Sequence, residues 1–353
     1  MSLYIVKFGG SSVAGIERMK HVAKIISGFI KQGHKVVVVT SAMHGKTDKL
    51  VSLARIVSVD IDREYDAIIS CGEQIAAGML ARILQTTGIP AQSLSASQVP
   101  IYASGSFGNA SITSVGVKRV FDLLDAGIVS VITGFQGIDG NGDIITLGRG
   151  GSDATACALS YYLNADECYI YTDVDGVHTG DPRIAVNTRL IPEMSYDEML
   201  ELSFWGAKVL QHRSVEIAKR YNVKIRILSS FTEGNGTLIS GSINSPHAIT
   251  GVAHSVDFNL LKTSEQYDNS IKVDNNLYLI PKNTNFSENV DVNVGTITVV
   301  GGETNKMATN FLISLKSIDI TPKFVLQRRL STTFIVPRSQ IEQGVNVILD
   351  LIA

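Results

Sequence analysis

The stretch Ile145-Thr-Leu-Gly-Arg-Gly-Gly-Ser-Asp-Ala-Thr-Ala156 decides how this chain is read. It leaves a short apolar run, passes three glycines and enters an alanine-rich segment of helical composition. Gly148, Gly150 and Gly151 permit backbone conformations that a side chain would block. Ser152 or Asp153 is expected to cap the helix that follows. The free N–H groups of a helix start attract anions. Arg149 adds a planar fork matched to a carboxylate or a phosphate. A capped helix after a turn needs one glycine and one Asp. Three glycines, an Arg, a Ser and an Asp over residues 148–153 point instead to a binding loop.

Strands can be placed on both sides of it. Ile128-Val-Ser-Val-Ile-Thr133 reads as a buried strand ending in Gly134-Phe135-Gln136-Gly137, and Asp139-Gly-Asn-Gly142 as a tight turn. After a helix to about Leu163, Cys168–Thr172 is a further strand, and Asp173-Val-Asp-Gly176 leaves its end. At the front, Leu3–Phe8 is an apolar run broken by Lys7. Gly9, Gly10, Ser11 and Ser12 follow, then a helical pattern to about Gly33. Val36–Val39 has the composition of a strand buried on both faces. Strand, glycine turn, helix and strand make a βαβ unit. Ligands of such sheets bind beyond the carboxyl ends of the strands. Lys7 stands there, beside a Gly-Gly-Ser-Ser turn, as expected of a phosphate site rather than of a lysine snorkelling from a strand end.

Familiar alternatives fail on spacing. Gly45-Lys46-Thr47 imitates the end of a P-loop, but Thr40 stands where that motif needs glycine. Gly140-Asn-Gly142 imitates a dinucleotide fingerprint, but Ile145 replaces its last glycine. Asp173–Asp181 lacks the glycine and glutamate spacing of a calcium loop. Thr47 and Asp48 are expected to cap a helix. Helical patterns over 63–88 are read as interrupted at Cys71-Gly72-Glu73-Gln74, which puts Glu73 at a helix start, where a carboxylate is favourable. Ser195 is expected to cap a long helix carrying Gly206-Ala-Lys208-Val-Leu210. Lys224–Leu228 and Thr237–Ser240 read as strands.

Composition sets the limits. At 353 residues the chain has room for two domains. A hydrophobic share of 44% and a charged share of 18% fit a globular protein with a large core. A net charge of −2 without a Lys/Arg cluster argues against nucleic acid. No apolar run of bilayer length is expected, and the opening on a strand-like segment predicts no signal peptide. Cys71, Cys157 and Cys168 have no metal-type spacing and are expected to be buried free thiols in a reducing cytoplasm.

Strands and helices alternate to about residue 242, as in a doubly wound α/β domain. Ser242–Ala248 is the candidate linker. Beyond it the rhythm changes. Gly295–Gly301, Ile318–Ile320 and Thr333–Val336 read as strands. Met307, Phe311, Leu312 and Leu315 mark one helix face, and Ile341, Val345, Ile348, Leu349 and Ile352 another. That order is βαββα, one strand short of a ferredoxin-like unit, with Thr250–Leu261 as the expected donor of the missing strand. Ser270–Val273 and Leu277–Ile280 around Asp274–Asn276 look like a hairpin.

Taken together, these motifs resemble the aspartokinases of the amino-acid kinase family. Val6–Ser12, Gly45–Asp48, Gly72-Glu73, Thr146–Asp153, Tyr171–Gly176, Asp181–Arg183 and Gly206–Leu210 match in family order. The match is close over the first two thirds and looser in the tail. The resemblance implies an open αβα sandwich with a mainly parallel sheet over residues 1–242. It also implies a reduced α+β, ferredoxin-like (ACT-type) regulatory domain over 249–353, made of 249–261 plus 295–353 with a hairpin insert at 266–294. Members of the family have a whole first ACT domain where 266–294 fall, so weak or absent feedback by lysine is expected.

The implied chemistry is phosphorylation of the side-chain carboxylate of L-aspartate by ATP with Mg²⁺. This is the entry to lysine, diaminopimelate, threonine and methionine synthesis. Lys7, Asp153 and Lys208 take the catalytic positions of the family. Ser41, Thr47, Glu73, Phe135, Arg149 and Ser152 take the substrate positions. Lys7, Gly9, Gly10, Ser11, Thr172, Asp173, His178, Arg183 and Lys208 take the nucleotide positions. No protein ligand for a metal is assigned. His178 replaces a common Tyr, and Gln211-His212 replace a common His-Pro. A cytoplasmic homodimer, with neither nucleic acid nor membrane as partner, is the expected setting. Two other readings stand beside this one: a kinase of another small amino acid, and a catalytically silent amino-acid or nucleotide sensor.

Overall fold

The computed structural model describes residues 2–241, 248–263, 267, 270–282, 284 and 290–352. Of the expected linker, 242–247 lie outside the described residues. The chain divides into two compact units, one within Met1–Gly176 and Arg213–Gly241, the other within Val177–His212 and Ser242–Ala353.

In the first unit a sheet runs in the order Thr237–Ser240, Ile225–Ser229, Glu167–Thr172, Leu3–Phe8, Lys35–Thr40, Val129–Thr133, Ala91–Leu94. All neighbours are parallel except Thr237–Ser240 against Ile225–Ser229. Side chains alternate across a strand. Val6, Phe8, Val36, Val38 and Val131 therefore pack with Met19, Val22 and Ile26 of helix Ile16–Lys31 and with Ala76, Ala77 and Leu80 of helix Arg63–Thr86. Lys7 points to the other face, where helix Gly151–Tyr162 lies. The expected αβα sandwich is thus present. Register sets Lys7 opposite Val39 and Ile170, and Thr40 opposite Thr133, so the carboxyl ends of the strands share one edge.

Helix Arg63–Thr86 corrects three expectations. It is continuous, so Glu73 sits in its interior rather than at a start. Gly72 serves close approach, not interruption: a β-carbon there would meet the Ala42 Cβ at 2.8 Å. An 18-residue window of it, at a mean hydropathy of 1.3, also passes the length and composition test for a membrane span, which the sequence reading excluded. Yet Ile69, Ala76, Leu80 and Leu84 are buried in the unit beside Asp66 and Glu73, the packing of a core helix. Cys71, on its surface, is exposed rather than buried.

A second sheet in this unit, Asn109–Val115, Ile101–Ser106, Gln136–Ile138, Ile144–Thr146, has no counterpart in the expectations. Its last strand leads into the glycine stretch.

In the second unit, Gly251–Ser255, Val294–Val300, Ser331–Pro337 and Phe324–Gln327 form an antiparallel sheet. Helices Thr304–Lys316 and Ile341–Ile352 cover it through Phe311, Leu315, Val345 and Ile348, packed on Ile297, Val299 and Phe334. Gly251–Ser255 supplies the strand that the βαββα order lacks. Ile318–Ile320 is not a strand. It closes the preceding helix, with Asp319 at φ 61° and the Ile320 N–H donating to the Leu315 carbonyl. Phe258–Lys262, Leu277–Pro281, Ile271–Asp274 and Val290–Asp291 make a second antiparallel sheet.

Ser195 caps a helix, through a reciprocal bond with Glu198, but the helix is short, Tyr196–Phe204. Gly206 ends it at φ 113°, with the Ala207 N–H reaching back to the Leu202 carbonyl. This is a glycine C-terminal cap. Lys208 therefore lies on an irregular connection, not on a helix. A β-carbon at Gly206 would stand 2.2 Å from the His254 carbonyl oxygen. Gly206→Ala is expected to destabilise the second unit by at least about 1–2 kcal/mol. Urea unfolding followed by fluorescence of the single tryptophan, the buried Trp205 beside this cap, measures it.

Candidate functional site

The site begins with a charge in an apolar place. Lys7 is 7% exposed and Asp153 is 8% exposed, and Nζ lies 2.5 Å from Oδ1. An isolated buried ion is costly, so the pair must form if either residue is to remain charged there. Asp153 is free to do so because it does not cap its helix. The N-cap is Gly150, at φ 73°, and neither Ser152 nor Asp153 makes a side-chain cap. The expectation of a Ser or Asp cap is overturned, since a left-handed glycine lets the chain enter the helix without one. Gly45 at φ 70° does the same at the start of Lys46–Val57, where Thr47 and Asp48 were expected to cap.

Around this pair the strand ends come close. The Gly9 N–H donates to the Tyr171 carbonyl at 3.0 Å, and a β-carbon on Gly9 would stand 3.7 Å from Lys7 Nζ. At Gly10 a β-carbon would come within 2.9 Å of the Ala42 carbonyl oxygen. Ser11 is half-buried in the same turn, and Ser12 is buried. The Ser41 N–H donates to the Phe8 carbonyl. Gly134 passes so close to the helix start that a β-carbon would meet the Ser152 Cβ at 2.6 Å. Phe135 follows at φ 68°, against Gly151. Thr172 Oγ1 donates to Asp173 Oδ1 at 3.1 Å at the end of the next strand. Arg149 is exposed, and among the described residues it has no hydrogen bond or ion pair.

Glu73 reaches this edge from the middle of its helix. It is 3% exposed, its Oε1 accepts from the Ala42 N–H at 3.0 Å, and its Oε2 is buried with no partner among the described residues. Burial pushes its carboxyl up to about 7, against the hydrogen bonds from Ala42 and its own backbone, which pull it down. A carboxylate with one idle buried oxygen suits a cationic ligand group. Thr47 is half-buried on the neighbouring helix, whose Leu50 would stand 3.5 Å from a β-carbon at Gly72.

The structure thus brings together Lys7, Gly9, Gly10, Ser11, Ser41, Glu73, Phe135, Ser152 and Asp153. Three expected residues belong to the second unit. Lys208 Nζ lies 3.8 Å from Asp257 in an exposed pair. Arg183 makes a two-pronged bond to Asp181, whose carboxyl it holds below the usual range. His178 Nδ1 is 3.4 Å from Thr188 Oγ1. Among the described residues no group of three or more His, Cys, Asp or Glu side chains could hold a metal.

Four contributors escape a sequence reading. Asp66 is buried beneath the glycine stretch and accepts from Thr146 and Gly108. Arg213 donates to the Leu147 carbonyl at 3.0 Å. Ser230 donates to Ser12 at 2.7 Å, and its N–H binds the Thr172 carbonyl. Arg18 bonds Ser230 and stacks on Phe231. Each acts across more than forty positions of sequence, so no local pattern marks it.

This fold and site place the chain in a known class. It belongs to the amino acid kinase family, whose pattern matches residues 2–229. Its relatives are more particular. It is 47% identical over 241 residues to the aspartokinase of Pseudomonas aeruginosa, covering 68% of this chain and 58% of that one. It is 48% identical over 238 residues to the aspartokinase of Helicobacter pylori strain J99, covering 67% and 59%. The matches to the first of these relatives span only 58–64% of their lengths. In fold it is similar to Escherichia coli aspartokinase III, solved with aspartate and ADP, at a TM-score of 0.86 and 21% identity over 99% of each chain. Synechocystis aspartate kinase gives a TM-score of 0.63 at 28% identity, over 99% of this chain and 69% of that one.

The Glu73 carboxyl sets a stability slope. Its folded pKa is raised, so the folded chain keeps a proton that the unfolded chain has lost. The stability this neutral carboxyl allows is fully present below about 4.5 and lost as pH rises through about 7. Glu73→Gln is expected to flatten that slope, as read by urea unfolding at several pH values.

Proposed function

We propose that this chain is an aspartate kinase, which uses ATP to phosphorylate the side-chain carboxylate of L-aspartate. The observation that carries the reading is the buried Lys7–Asp153 pair at the strand ends, beside the Gly9-Gly10 turn. The names of relatives 44–48% identical over 67–73% of the chain support the same substrate.

The chemistry follows from charge. The nucleophile is a carboxylate, already ionised at pH 7, so no general base is needed. One carboxylate oxygen forms a bond to the γ-phosphorus, the bond from that phosphorus to the bridging oxygen breaks, and ADP leaves with the electron pair. The obstacle is repulsion between two anions, so positioning and positive charge must do most of the catalysis. Lys7 stabilises the transferring phosphoryl group. Asp153 holds the ammonium in place, and the Gly9, Gly10 and Ser11 backbone lies along the phosphates. Arg149 clamps the substrate α-carboxylate, while Glu73 takes its ammonium group with the idle oxygen. Ser41, Thr47, Phe135 and Ser152 line the substrate. Thr172 and Asp173 serve the nucleotide. Mg²⁺ would arrive with the nucleotide and offset the charge of its phosphates; no protein ligand is assigned to it. The product, 4-phospho-L-aspartate, opens the routes to lysine, diaminopimelate, threonine and methionine. The setting is a cytoplasmic homodimer.

Release of ADP on addition of L-aspartate, but not of glutamate or acylglutamate, tests the reading. ADP release independent of all three would reject it. Lys7→Ala, with folding verified by circular dichroism, is expected to lower kcat by at least about a hundredfold. Arg149→Ala is expected chiefly to raise KM for aspartate, because a substrate carboxylate loses its two-pronged partner. Protonated Glu73 cannot pair with an ammonium group. KM for aspartate should therefore rise as pH falls through about 7, and a pH series of initial rates reads it directly.

A further inference from the structure

Arg149 is exposed and unpartnered, so nothing its own side chain touches fixes its place. The backbone before and after it, by contrast, is held by hydrogen bonds. Asp66, fully buried on the first turn of helix Arg63–Thr86, accepts four hydrogen bonds. Thr146 supplies two of them, from its N–H at 2.6 Å and its hydroxyl at 2.7 Å. The Gly108 N–H supplies the others, at 3.0 Å to each carboxylate oxygen. All three donor groups are uncharged, the Gly108 N–H being shared between the two oxygens, and bonds of uncharged donors to a carboxylate are among the stronger kinds in proteins. From the other side, Arg213 donates to the Leu147 carbonyl, to Asn109 Oδ1, to the Ala110 carbonyl and to Ser111 Oγ. Ser214 Oγ donates to the Gly150 carbonyl at 3.2 Å. The turn is closed by the Gly151 N–H on the Gly148 carbonyl. Gly148, at φ 72°, lies so near the Gly108 carbonyl that a β-carbon would stand 3.1 Å from it.

We propose that Asp66 is a positioning residue for Arg149: with Arg213 it clamps the glycine stretch to the hairpin turn at Gly108 and so sets where the guanidinium meets the substrate carboxylate. This rests on the proposed aspartate kinase activity and on the substrate role of Arg149 in it. The clamp accounts for a carboxylate buried without a cation and for the contact between two segments far apart in sequence. Asp66 is fully buried and bonds only the loop and the hairpin turn through its side chain, so its effect must pass through the loop.

The test uses the full-length chain. In Asp66→Asn an amide N–H₂ replaces one acceptor and faces donors. KM for aspartate should rise on the order of tenfold or more, while KM for ATP and kcat change less than about twofold. Thr146→Val, which loses only the hydroxyl bond, should give a smaller rise, and Thr146→Ser should restore the parent value. In an Arg149→Ala background, Asp66→Asn should add little to KM, because both changes remove the same interaction. Amide hydrogen exchange over Thr146–Gly151 should speed up in Asp66→Asn. That readout needs no activity, so it separates failure of the clamp from failure of the aspartate kinase reading. An unchanged KM for aspartate in Asp66→Asn and Thr146→Val, equal losses for both substrates, or additive effects with Arg149→Ala would each overturn the proposal.

Discussion

An ammonium group placed at the end of a buried strand must find a counter-charge or be expelled, and in this protein the answer is Asp153, 2.5 Å away. Much of the first unit follows from that requirement. The carboxylate has to arrive on the first turn of a helix packed across the same face of the sheet, so the helix start must lie over the strand ends. It also has to be free of capping duty, which the left-handed Gly150 makes possible. The pair is a weak source of stability, because desolvation offsets most of its attraction. It serves better as a fixed charge in a place from which water is largely excluded.

The same requirement explains the glycines. Gly10, Gly134 and Gly151 each stand where two backbones, or a backbone and a helix start, pass too close for an unhindered side chain. They bring the ends of Leu3–Phe8, Lys35–Thr40 and Val129–Thr133 against helix Gly151–Tyr162. Glu73 enters that space from a continuous helix because Gly72 allows the helix to press on Ala42. One carboxylate there is paired with a lysine, while the other, Glu73, has no cation beside it and is pushed up by burial.

Much of this was legible in the chain. The four valines at 36–39, the lysine before Gly-Gly and the Gly-Arg-Gly-Gly run state their structure locally, through composition and spacing that any buried strand or phosphate-type loop requires. The hairpin at 101–115 went unseen because its inward positions, Ala103 and Ala110 among them, are small and its outward ones are Ser, Asn and Gly, so the alternation carries little contrast. The sequence pattern puts Gly72 at a helix break and Gly206 inside a helix, the reverse of what the structure holds. One lies inside a helix and the other ends one, and only the tertiary neighbours, Ala42 and His254, distinguish them. Asp66, Arg213 and Ser230 look like ordinary polar residues until distant segments are placed beside them. Long-range hydrogen bonds leave no periodic trace.

The close passage of Gly134 against Ser152 has a consequence for redesign. A seam with no room for a methyl group behaves as a hard wall: its contour cannot be widened or narrowed by ordinary exchange of residues without moving a strand or a helix. On the proposed substrate roles of Thr47 and Arg149, any tuning of which small acid fits would come from their movable side chains and not from this seam. Relatives with altered preference would be expected to keep glycine at that seam and to vary at those side chains.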